Sequence, residues 1–224
     1  MSELTEYLAA NCEAVNDRFD ELCDELLDSR SRLKTLADSD LAANSKRYGV
    51  DIDALDRFER SEAHDLFHSV ERVRGLIYNA ICFVDLLFES IIEFKQLSTE
   101  ARWTSNDDIA KLDAKLVDAI ALVYKCASKN ISFRDDVAAG LKEAADYILE
   151  RAQRIDKAAM PVIPGRQEHI TRVKSREMIE IIRNWGNDGV LDADTENELV
   201  DTLDNICETA AGFKELLDVL HSRM

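Results

Sequence analysis

Two of the four histidines in the 224-residue chain fall in one short run, His64-Asp-Leu-Phe-His68-Ser-Val-Glu71. On a helix, residues 64, 68 and 71 share a face, and imidazoles at i and i+4 can chelate a metal ion. That face lies roughly opposite the apolar row Leu66, Val70 and Val73, so an outward-facing His64, His68, Glu71 site needs a partner or another helix to complete its ligand shell. An exposed polar face is the plainer account. Asp65-Leu-Phe-His68 and Asp218-Val-Leu-His221 both follow a carboxylate-x-x-His pattern related to the Glu-x-x-His of di-iron bundles, with Asp85, Glu89 or Glu93 as a lone carboxylate. With four histidines and 45 acidic residues, about one such match is expected by chance.

Arg57 and His64, with six residues between them, look like the Arg-x(4–6)-His element of HEPN-type helical ribonucleases. The resemblance implies a helical bundle in which the Arg and His assist RNA cleavage at a dimer cleft. Two departures stand against it: Phe58 occupies the position that is commonly polar, and the motif falls in the second helix instead of late in the bundle. Asn184 to Thr195 partly imitates a calcium loop, but Gly186 and Thr195 stand where ligands are needed. A helix stop followed by an Asp-rich cap accounts for it more simply. Arg166, Arg172, Lys174, Arg176 and Arg183 follow a Pro-Gly turn. Arg166, Arg172 and Arg176 could take a small anion. The chain contains no Gly-rich phosphate loop and no nucleophile elbow, and no cofactor is expected.

Any such site must be positioned by helices. Only 7 Gly and 2 Pro occur, and no alternating strand pattern of useful length is present. Leu4, Leu8, Cys12, Val15, Phe19, Leu22, Leu26, Leu33 and Leu36 form a near-heptad seam that misses one beat, at Ser29. A second helix is predicted from about Ile52 to Leu97, with a kink or break near Ser61–Ala63. Its most apolar stretch, Leu76 to Phe94, has nearly the length of a membrane span. Asp85, Glu89 and Glu93 within it make a buried helix of a soluble bundle the better account. About four shorter helices follow. Ser105-Asn-Asp-Asp108 and Ser132-Phe-Arg-Asp135 open the first two as capping boxes, a third spans Gln167–Trp185, and Thr195-Glu-Asn-Glu198 opens the last. The expectation is an all-α, elongated bundle with a long N-terminal helical hairpin. Its divisions are a long-helix bundle over 1–159, a Pro/Gly linker at 160–166, and a C-terminal hairpin over 167–224 that packs on the same bundle.

Five scattered cysteines suit small buried hydrophobes in a reducing compartment, and Met1, Ser2, Glu3 and Glu6 open no apolar leader run. A cytoplasmic location follows as the expectation. The net charge of −17 is unevenly spread: residues 1–40 hold 11 acidic and 4 basic side chains, and residues 190–224 hold 9 and 2. The intervening stretch is close to neutral, and residues 151–183 hold eight basic against four acidic. Acidic ends disfavour general nucleic-acid binding and suit a basic protein partner, a solvated surface, or an internal contact with the basic stretch. The acidic interface is assigned to Asp17, Asp20, Glu21, Asp24 and Asp28 of the first helix and Asp201, Asp204 and Glu208 of the last. The expectation is a non-enzymatic interaction module (adaptor, inhibitor or immunity-type partner of a basic protein). It is expected to homo-oligomerise through its first two helices and to have no membrane contact. The alternative is a helical-bundle enzyme, either HEPN-like through Arg57 and His64 or a carboxylate–histidine metalloprotein.

Overall fold

The computed structural model describes residues 3–40, 57–104, 108–158 and 193–223. These form an all-α protein: α1 spans Glu3–Thr35 and runs into a π-helical turn at Leu36–Asp40, α2 spans Arg57–Glu100, α3 Ile109–Ala158 and α4 Ala193–His221. No strand occurs among the described residues.

Every apolar position of the α1 seam is buried, from Leu4 to Leu36, and so is Ser29, where the pattern misses its beat. A seam repeating near 3.5 residues needs an apolar partner along its length. Around Phe19 that partner is supplied by α2 and α4, whose Phe94 and Phe213 both meet its ring. Leu199, Leu203, Ile206, Ala210, Phe213, Leu217 and Leu220 do the same for α4, all at 5% exposure or less.

Two expected breaks are absent. The backbone of α2 is helical through Ser61–Ala63. The shorter helices anticipated on either side of Ser132 are a single 50-residue helix. Ser132 does not cap: its hydroxyl donates back to the carbonyl of Lys129, three residues earlier, at 3.0 Å. A serine satisfied in this way is tolerated inside a helix, and the buried row Ala127, Asn130, Phe133, Val137 carries the period through without a gap. At the start of α3 the carbonyl of Asp108 already accepts from Leu112 N. Asp108 therefore already closes a helical turn. The segments 41–56, 105–107 and 159–192 lie outside the described residues, and with them the 160–166 linker, the Gln167–Trp185 helix, most of the calcium-loop imitation, and Arg166, Arg172 and Arg176.

The chain divides into two compact units. The first joins Met1–Leu33, Asn79–Asp135 and Asp201–Met224; the second joins Lys34–Tyr78 and Asp136–Val200. Within the first unit, α1 packs antiparallel to α2, since Phe19 meets Phe94 and Arg30 pairs with Asp85. It packs antiparallel to α4, since Phe19 meets Phe213 and Glu3 pairs with Arg223. Helix α3 is antiparallel to α4, since Arg134 pairs with Asp204 and Tyr124 lies under Lys214, and it packs on α2 through Phe83–Phe133 and Asn130 Nδ2 to Phe83 O. The result is an up-down-up-down four-helix arrangement in which α1 is flanked by α2 and α4. In the second unit, α2 and α3 continue side by side, with Arg72 paired to Glu143 at 2.8 Å and Tyr78 hydrogen-bonded to Asp38.

Residues 72–100 are long and apolar enough to cross a membrane by length and composition. The outer side of this stretch carries Asp85, bonded to Arg30 across the α1–α2 contact, and the exposed Glu89 and Glu93 beside the exposed Leu86 and Ile92. Its apolar face, including Val84, Leu87, Ile91 and Phe94, is the core of the first unit.

Candidate functional site

The acidic residues of α1 recur on the face opposite its seam. Counting 100° per residue from the buried row, Glu6, Glu13, Asp17, Asp24 and Asp28 project away from the core, and all are exposed. On α4 the same construction places Asp201, Glu208 and Glu215 outward, again exposed. Because α1 and α4 are neighbours, the acidic ends of the sequence lie side by side in the first unit.

Four of the eight carboxylates assigned to the acidic interface have basic partners inside the chain. Asp20 pairs with Lys95 of α2, Asp204 with Arg134 of α3, Glu21 with Arg18 at 2.5 Å, and Asp28 with Arg32 at 2.8 Å. The hydrogen bond that Arg134 donates to the Asp204 carboxylate holds its guanidinium above the ordinary pKa, and the bonds Arg30 donates to Asp85 do the same for Arg30. These acids serve helix-to-helix attachment or the local helix surface. The other four, Asp17, Asp24, Asp201 and Glu208, are exposed and have no ion-pair partner among the described residues. Glu6 and Glu215 are in the same position and were missed by the sequence reading, although their spacing from Asp17 and Glu208 put them on the same rows.

The charge also differs between opposite helices. In the first unit, α1 holds nine acidic and three basic residues, whereas residues 109–135 of α3 hold three acidic and five basic. Lys111, Lys115, Lys125 and Lys129 are exposed. The acidic surface is therefore centred on α1 and its neighbour α4, and α3 carries the opposite sign.

A second feature lies between α3 and α4. A cleft of about 360 Å³ is lined by Val117, Ala121 and Tyr124 of α3 and by Leu217, Asp218 and His221 of α4. This is where the structure places the Asp218-x-x-His221 pattern. No group of three metal-ligating side chains occurs among the described residues, and the cleft walls are mostly apolar. Val117 and Tyr124 flank the buried Leu116 and Val123 by one position each, a widening of the apolar arc that the row-by-row reading passed over.

Arg57, His64, His68 and Glu71 lie on the backbone of α2, but their side chains fall outside the described residues. Asp85, offered as a lone metal carboxylate, is instead engaged by Arg30 Nε and Nη2. The cysteines divide: Cys12 and Cys23 are buried as expected, Cys126 and Cys207 are half-buried, and Cys82 is exposed, which departs from the all-buried expectation. Cys82 follows the seam residue Ile81 by one position, and a single step of 100° turns it out of the core. No protein-family model, curated protein or solved structure matches this chain.

Proposed function

We propose that this protein is a non-enzymatic helical interaction module that binds a basic protein through the acidic outer faces of α1 and α4. The observation that carries the reading is the row of six exposed carboxylates, Glu6, Asp17, Asp24, Asp201, Glu208 and Glu215, on adjacent helices and without ion-pair partners among the described residues. An excess of carboxylates without basic partners on adjacent helices steers an oppositely charged partner and speeds its capture. The same surface repels the phosphate backbone, so direct general nucleic-acid binding is not part of the proposal. Cytoplasmic residence and self-association remain compatible with it, but neither is required.

The test is a pull-down with the full chain at low and high salt, read by mass spectrometry, beside an Asp17→Lys/Asp24→Lys/Asp201→Lys/Glu208→Lys variant. A stoichiometric basic protein recovered by the wild type at low salt, and lost both at high salt and in the variant, is the expected result. Recovery of the same proteins by both forms would remove the proposal.

A further inference from the structure

We propose that the α3–α4 cleft is the apolar half of the same docking surface. It receives the apolar row of a basic amphipathic helix of the partner, whose Lys or Arg side chains face Asp218, Glu215 and Glu208. The inference rests on the acidic-interface reading and narrows it to a partner conformation. Three observations support it. First, Val117 and Tyr124 are 41% and 40% exposed, and they line one concave cleft instead of standing singly on a surface. Isolated exposed apolar residues are ordinary, whereas apolar residues gathered in a groove are how helices are received. Second, Ala121 lies in the cleft and is exposed, so the small side chain at its middle leaves room for an approaching helix. Third, the charge along the α4 edge is mostly acidic, its one lysine there, Lys214, being engaged over the Tyr124 ring. Asp218 lines the cleft, Glu215 stands one turn before it, and Glu208 two turns earlier on the outward face. An incoming helix with an apolar row in the groove would place its flank against these carboxylates, and a basic flank is the complementary one.

The experiment uses three synthetic amphipathic helical peptides and the full-length chain, with fluorescence anisotropy at low salt. One peptide has a Leu row and Lys flanks, the second has Ser in place of the Leu row, and the third has Glu in place of Lys. The Leu/Lys peptide is expected to bind. Its affinity should fall about tenfold or more when the cleft is filled by Ala121→Trp, and again with Asp218→Lys, because the apolar row anchors in the groove. Ala121 is exposed, so the Trp variant keeps the core intact, which circular dichroism verifies. Equal binding of the Ser/Lys peptide, or unchanged affinity of the Ala121→Trp variant, overturns the cleft proposal while leaving the acidic face standing. Failure of both Lys peptides to bind overturns both.

Discussion

The ring of Phe19 on α1 lies 5.6 Å from that of Phe213 on α4, which joins the first helix of the chain to the last. Phe19 also meets Phe94 of α2 at 5.0 Å, and all three rings are fully buried. One side chain thus holds α1 between both of its neighbours. Phe19→Ala is expected to cost about 3–5 kcal/mol, since it removes the ring and leaves a cavity that three helices would have to move to close. Urea denaturation followed by circular dichroism measures the loss. A change below about 1 kcal/mol, the range of ordinary surface substitutions, would contradict this packing.

Glycines inside helices offer a contrast within the second unit. A Cβ on Gly75 would meet nothing within 4 Å, whereas one on Gly140 would collide with Leu76 Cδ1. Gly75→Ala should therefore stabilise the protein by about 0.5–1 kcal/mol through helix propensity alone. Gly140→Ala should gain less or lose, because Leu76 must turn away, and a Leu76→Ala background should remove that difference. Thermal melts of the single and combined variants test the coupling. Equal shifts for both glycine variants would show that α2 and α3 do not approach closely at Gly140.

The cysteines should separate by reactivity. Burial pushes the Cys23 thiol up to about 11 from an ordinary 9.0, and burial also raises Cys207, whereas Cys82 is exposed. Iodoacetamide at pH 8 should label Cys82 well before Cys23 in the native protein, as read by peptide mass spectrometry. A raised folded-state pKa means the neutral thiol is favoured by folding. The contribution of Cys23 to stability is thus complete below about pH 9 and is lost as pH climbs toward 11. A Cys23→Ala variant should lack that part of the alkaline decline.

Much of this fold could be read from residue spacing, because a helix buried on one side must repeat apolar residues every three to four positions. The α1 and α4 rows were legible for that reason, down to Ser29. What escaped were features without an apolar signature. Buried Ser98 donates to Asn16 Oδ1 at 2.9 Å, and buried Asn130 donates to the carbonyls of Phe83 and Cys126. Such polar groups enter a core only when a specific neighbour satisfies them, and that neighbour is set by tertiary packing. Ser132 misled for a related reason: Ser-Phe-Arg-Asp matches a capping box in type, but the decision between cap and continuation is made by the apolar row on both sides. The acidic interface was half legible. Charge counts located the acidic ends, but only the packing shows that Asp20 and Asp204 are engaged by Lys95 and Arg134, while Asp17 and Asp24 face outward beside α4.

Salt should discriminate between the two kinds of acid. Arg134–Asp204 and Arg30–Asp85 are half-exposed pairs, each expected to contribute no more than about 1 kcal/mol. Asp204→Ala should lower stability by that order, and the loss should shrink at high ionic strength. Asp24→Ala, with no ion-pair partner among the described residues, should leave stability unchanged or slightly improved by relieving repulsion. Denaturation at two salt concentrations checks both.

The most direct measurement of the central claim is partner capture by the full chain, wild type beside the Asp17→Lys/Asp24→Lys/Asp201→Lys/Glu208→Lys variant, at low and high salt. With exposed charges screened beyond about 8 Å at physiological ionic strength, an acidic-face complex must weaken as salt rises. The account predicts one basic protein in stoichiometric amount, held only by the wild type and only at low salt. A complex that survives both charge reversal and high salt, or recovery of nothing but the chain itself, would contradict it.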